Sequence, residues 1–133
     1  MSKKPSISMN VTIKAAPEDI FAALTNSKII LEWCGQKGNV EAKIGGKFEM
    51  FDGWVKGKVL AYEPGRSLAY TWHPAEWQKE WDASIVTYAL TKTKSGTKIS
   101  LKHSGFPNEQ EMKSHHSGWD KHVFEPLKEF FKA

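Results

Sequence analysis

The chain has 133 residues, 40% of them hydrophobic and 12% aromatic, with six Trp, a formal charge of +4 and a pI near 9.1. One domain covering 1–133 is expected, large enough to bury roughly two-thirds of its unfolded surface. The 18 Lys and one Arg are scattered singly, which argues against a nucleic-acid surface, and no apolar run approaches the roughly 18 residues that span a bilayer.

Met1 to Ser6 carries a Lys pair but no apolar stretch after it, so no secretory signal is read there. Ile7, Met9, Val11 and Ile13 then alternate with Ser8, Asn10, Thr12 and Lys14, the pattern of a half-buried strand. Pro17 suits a first helical position, with Glu18 and Asp19 in the first turn, and Ile20, Phe21 and Leu24 form the buried side of a short helix ending near Asn26. A second short helix is expected from about Lys28 to Cys34, burying Ile30 and Trp33 and stopping at Gly35. Cys34, the lone cysteine, excludes an internal disulfide and fits a cytoplasmic protein; at a helix C-terminus its thiol is expected to be half-buried and inert.

From Gly38 the chain reads as an antiparallel meander. Asp52-Gly53 marks a two-residue hairpin that sets Met50 against Val55, Glu49 against Lys56 and Phe48 against Gly57. One face then holds Phe48, Met50, Val55, Gly57, Val59 and Ala61, and the other holds Lys47, Glu49, Lys56 and Lys58. The first is the inner face, and its small residues either admit a close helix or leave room for a ligand. Phe51 and Trp54 fall on the outer face at the hairpin tip, where aromatic residues suit a partner contact, a homodimer or a ligand gate. Leu68, Tyr70 and Trp72, then Val86, Tyr88 and Leu90, then Thr97, Ile99, Leu101 and His103 continue the inner face. Between them, Trp77 and Trp81 are four apart and could share one face of a helical turn.

Asn108 to Lys132 reads as one helix of about 36 Å. Asn108 is the expected cap, Glu111 completes a capping-box pattern, and Met112, Trp119, Val123, Leu127 and Phe130 form the apolar stripe. Gly118 and Pro126 interrupt it, with a kink expected at Pro126.

Catalytic signatures are sparse. His115 and His116 are adjacent and His122 is six or seven residues on, so they lack the three- or four-residue spacing of a helical metal site. No Ser or Cys stands in a nucleophile pattern, and Gly45-Gly46 leads into a strand rather than a phosphate-binding helix. His103 ends an inner face, where it either bonds a ligand, acts as a general base, or is a core histidine satisfied by a neighbour. The general-base reading needs a carboxylate or hydroxyl pointing inward beside it. No cofactor or metal is expected.

The order of elements and several motifs together resemble a known family. Ala16-Pro17-Glu18-Asp19-Ile20-Phe21, Leu31-Glu32-Trp33, Ile44-Gly45-Gly46-Lys47-Phe48, Pro64-Gly65-Arg66-Ser67-Leu68, Tyr70-Thr71-Trp72, Leu101-Lys102-His103-Ser104-Gly105-Phe106 and Ser117-Gly118-Trp119 carry the likeness. It is to the START-like (SRPBCC, Bet v 1-like) superfamily, and within it to the activators of the heat-shock protein 90 ATPase. The resemblance implies an α+β helix-grip fold: a curved antiparallel sheet of about six strands wrapped round a long C-terminal helix, with two short helices after strand one. It also implies an apolar cavity between sheet and helix for a lipid-like or polycyclic molecule, or a chaperone as partner, or, as in some relatives, a polyketide cyclase-like reaction. Eukaryotic activators carry a separate N-terminal domain that engages the chaperone, whereas this chain opens on strand one. The residues expected to line the cavity are Phe48, Met50, Val59, Trp72, Tyr88, His103, Trp119 and Val123. The partners expected are thus a small hydrophobic molecule and a chaperone, with a monomer or weak homodimer and no nucleic acid or membrane insertion.

Overall fold

The computed structural model describes residues 5–41 and 43–132; the opening Met1 to Lys4 of the stretch read for a secretory signal lies outside them. Seven strands form one antiparallel sheet in the order β1-β7-β6-β5-β4-β3-β2. These are β1 (Ser6–Ile13), β2 (Asn39–Val40), β3 (Lys47–Met50), β4 (Val55–Glu63), β5 (Ser67–Pro74), β6 (Ser84–Thr93) and β7 (Gly96–Ser104). The short β2 at one edge accounts for the strand beyond the expected six. All of β1 pairs with β7, from Ser6 opposite Ser104 to Ile13 opposite Thr97.

Between β1 and β2 lie α1 (Pro17–Thr25) and α2 (Ser27–Cys34). Asn26 ends one and starts the other: its backbone N–H donates to the Ala22 carbonyl, and its side chain accepts from the amides of Lys28 and Ile29. The Trp33 indole donates to the Ala23 carbonyl at 2.7 Å and pins the pair together.

The C-terminal helix packs on the inner face, where Trp119 meets Tyr88 and His103. It runs as α3 (Glu109–Trp119), a single wider π turn (Asp120–Phe124) and α4 (Glu125–Phe130). Asn108 caps it as expected, accepting from the Glu111 amide at 2.9 Å. The Glu111 carboxylate does not close a capping box; it accepts the Trp77 indole N–H at 2.8 Å. The π turn ends two residues before Pro126, the expected point of irregularity, which has no N–H to give the carbonyl of His122. The extra residue of that turn shifts the buried stripe: His115, Trp119, Val123, Phe124 and Leu127 are buried, while Phe130 is exposed.

The hairpin register is the expected one, with Met50 opposite Val55 and Phe48 opposite Gly57. Its turn is not a two-residue one. Phe51, Asp52 and Gly53 all take left-handed backbone (φ 54°, 58° and 86°), so the loop spans 51–54. Two expectations for the inner face also change. A bulge between Val59 and Ala61 moves Ala61 opposite Ala69 and brings Tyr62 opposite Leu68. Gly57 serves neither helix nor ligand: a Cβ there would collide with the Thr71 carbonyl, so glycine permits close approach of the two strands.

Candidate functional site

The inner face is paved with aromatic rings, and their contacts decide where space is left. Phe48 stacks on Tyr70 with centroids 3.7 Å apart, Tyr70 leads to Trp72 at 6.4 Å, and Trp72 meets Trp119 at 5.2 Å. The enclosed region between sheet and helix is therefore packed, leaving a void of about 10 Å³ beside Met50, Tyr70, Tyr88 and Trp119. That is room for about one water molecule.

A cleft of about 450 Å³ opens instead at the end of the sheet beside the 51–54 loop. Phe51 and Trp54 form one wall, Trp72 the floor, and Ser114, His115, Gly118, Trp119, His122 and Val123 of the C-terminal helix the other side, with Gln36 at the rim. Of the residues expected to line a cavity, Trp72, Trp119 and Val123 border this cleft. Met50 and Tyr88 border only the small void. Phe48, Val59 and His103 are buried elsewhere in the core.

Phe51 and Trp54 thus turn toward the core rather than outward from the hairpin tip. The left-handed run reverses the alternation of the strand, and for a bulky residue such backbone costs about 1–2 kcal/mol. The turn is tied down by a reciprocal pair: the Lys37 amide donates to Asp52 Oδ1 at 2.7 Å, and the Asp52 amide donates to the Lys37 carbonyl at 2.9 Å. Trp54 Nε1–H donates to the Glu76 carboxylate at 2.9 Å.

His103 lies behind this wall, fully buried. Trp119 Nε1–H donates to its Nδ1 at 3.0 Å, so Nε2 carries the proton and donates to Ser84 Oγ at 2.7 Å. Ser84 Oγ–H in turn donates to the Trp72 carbonyl at 3.0 Å. An inward hydroxyl does stand beside His103, but the proton sits on the nitrogen a general base would need free. The histidine is a core residue satisfied on both sides. Burial, and secondarily the nearby His115, push its ring down to about 2.

His115, absent from the expected apolar stripe, is the second member of the network. Trp72 Nε1–H donates to its Nε2 at 3.1 Å, and its Nδ1–H donates to the Glu111 carbonyl at 2.8 Å. Burial lowers its pKa, opposed by the Glu111 carbonyl bond and by the Glu111 and Glu76 carboxylates. Burial likewise raises Tyr70 and Tyr88, whose hydroxyls lie 3.0 Å apart, and raises the Cys34 thiol.

The Trp77/Trp81 segment is not a helical turn. It makes two successive turns closed by Trp77 N–H to the Pro74 carbonyl and Trp81 N–H to the Gln78 carbonyl. Trp77 is buried against Phe106 and His115, and His73 Nε2–H holds the loop by donating to the carbonyls of Gln78 and Trp81. Sequence reasoning missed Trp77, His115 and Ser84 because each depends on a partner distant in the chain. Among the described residues no cluster of His, Cys, Asp or Glu is arranged to hold a metal, and no helix is long and apolar enough to cross a membrane.

A curved antiparallel sheet gripping a C-terminal helix, with two short helices after the first strand, is the START-like architecture. Residues 14–132 match the family described as Activator of Hsp90 ATPase homolog 1-like protein, and the chain belongs to that family. It is 26% identical over 125 residues to the mouse Activator of 90 kDa heat shock protein ATPase homolog 1, covering 94% of this chain but 36% of that protein. The chain therefore spans about a third of the length of that relative. Among solved structures, protein MLL2253 from Mesorhizobium loti is 31% identical, with a TM-score of 0.81 over 94% of this chain and 95% of that one. PFC0360w, an HSP90 activator from Plasmodium falciparum, is 23% identical, with a TM-score of 0.82 over 94% of each chain.

Proposed function

We propose that this chain binds a small, largely apolar molecule in the cleft between the 51–54 loop and the C-terminal helix. The observation that carries this reading is the cleft itself: about 450 Å³ bordered by three tryptophans, Phe51 and Val123. That volume lies within the roughly 300–1,000 Å³ of small-molecule sites. The left-handed Phe51 supports it, since strained backbone is retained chiefly where a site requires it.

Trp54, Trp72 and Trp119 supply the assay. Titration with a panel of neutral aromatic and alkyl compounds should shift or quench tryptophan emission, and Gly118→Leu should abolish the response. The space beside Gly118 is open, its nearest neighbour to an added Cβ being His122 Cδ2 at 3.9 Å, so the leucine enters the cleft without disturbing the core. Unchanged emission across the panel overturns the reading.

The names of the relatives favour a second reading, a chaperone-associated module. The mouse relative is named as an activator of the 90 kDa heat-shock protein ATPase. Added to purified heat-shock protein 90, the chain should raise the ATPase rate and co-elute with the chaperone. If neither effect is seen at tens of micromolar, the chaperone-module reading falls.

A further inference from the structure

The cleft's walls have an electrostatic sign as well as a size. We propose that its ligand is an organic cation, of the quaternary ammonium or protonated alkylamine class, held against the rings of Trp54, Trp72 and Trp119. This rests on the ligand-binding reading above and narrows it.

The walls are aromatic and mutually inclined. Trp54 and Trp72 meet at 79° with centroids 6.1 Å apart, Phe51 and Trp54 at 70° and 6.1 Å, and Trp72 and Trp119 at 38° and 5.2 Å. A cation is attracted to the face of such a ring within about 6 Å of its centroid, most strongly for tryptophan. Each indole N–H is already committed inside the protein, Trp54 to Glu76, Trp72 to His115 and Trp119 to His103. The tryptophans therefore offer no donor to an anion.

The surrounding charge has the matching sign. Among the described residues no Lys or Arg borders the cleft. Two carboxylates stand behind its walls: Glu76 on the Trp54 indole, and Glu111 with Oε1 3.8 Å from His115 Nδ1. Both raise the pKa of His115 against the lowering by burial, the response of a ring in a negative field. The His115 ring accepts at Nε2 and so adds no positive charge of its own. Gln36 and Ser114 at the rim suit a polar substituent on the ligand.

The test compares choline with 3,3-dimethylbutan-1-ol, its neutral carbon isostere, and with 2-naphthol as a neutral aromatic. The readout is the indole N–H signals of Trp54, Trp72 and Trp119 in two-dimensional NMR. Choline should shift all three and bind about fivefold more tightly than the isostere. Glu76→Gln keeps an acceptor for the Trp54 N–H and removes the charge at an exposed position, so it should weaken choline about two- to threefold and leave the isostere unchanged. An isostere that binds as tightly as choline, or a Glu76→Gln effect equal on both, overturns the assignment. If 2-naphthol moves the three signals and choline does not, the cleft binds small molecules but the cation class is wrong. If none of the three moves them, both readings fall.

Discussion

Trp72 and Trp119 each belong to two regions at once. On one side lies the sealed interior, where His103, Ser84 and Phe106 are buried and every ring nitrogen has a partner. On the other lies the cleft, bordered by half-buried Phe51 and Trp54 and by exposed Ser114 and His122. The interior fixes the indoles by hydrogen bonds, and the cleft uses the same rings as wall. Rigidity at the site is thus supplied from behind, and a substitution costs stability according to which side of the rings it touches.

The largest separation should come from truncating one ring that is fixed from behind and one at the half-buried rim. Trp119→Ala removes a buried indole and leaves His103 Nδ1 unpaired, and should cost about 3–5 kcal/mol in urea unfolding. Trp54→Ala, at the half-buried rim, should cost about 1 kcal/mol, its lost bond being to exposed Glu76. Similar losses for both would erase the distinction between the regions.

Acid should find the sealed side next. His103, with a folded pKa near 2, stays neutral in the fold but takes up a proton in the unfolded chain near pH 6.5, and His115, also lowered by burial, acts in the same direction. The unfolded state then binds more protons, so stability is full above about pH 6.5 and falls as pH drops below it. For His103 alone the loss between pH 7 and pH 5 should be about 2 kcal/mol. His103→Leu should flatten that slope in pH-dependent unfolding even though it lowers stability at pH 7. A pH slope identical in wild type and His103→Leu would contradict the buried neutral histidine.

The strand approach at Gly57 gives a comparable effect within the sheet. Gly57→Ala drives a methyl into the Thr71 carbonyl and should cost about 1–3 kcal/mol by thermal or urea unfolding. Smallest is Gly118→Ala on the cleft side. Its Cβ would make only an ordinary van der Waals contact, with His122 Cδ2 at 3.9 Å, so helix propensity should raise stability by up to about 1 kcal/mol.

Much of the fold was legible in alternating patterns. The inner faces of β5, β6 and β7 follow directly from Leu68, Tyr70 and Trp72, from Val86, Tyr88 and Leu90, and from Ile99, Leu101 and His103. Asn108 and Pro17 marked helix starts by local chemistry alone. What escaped was set by non-local geometry. The π turn inserts a residue that a 3.6-residue stripe does not register, the bulge after Val59 resets a period that sequence extends without limit, and the position of the cleft depends on three left-handed residues at the hairpin tip. For the same reason the cleft lies beside the expected interior cavity rather than inside it.

The pairing of β1 with β7 has a consequence for how the molecule comes into being. Ser6 must wait for Ser104, and no nearer strand is its neighbour in the sheet. While a ribosome is still making the middle of the chain, the first strand stays unmatched, with Ile7, Met9, Val11 and Ile13 uncovered. Closure of the fold is then a late, long-range event, and birth of the protein is the stage at which it is most open to unwanted association.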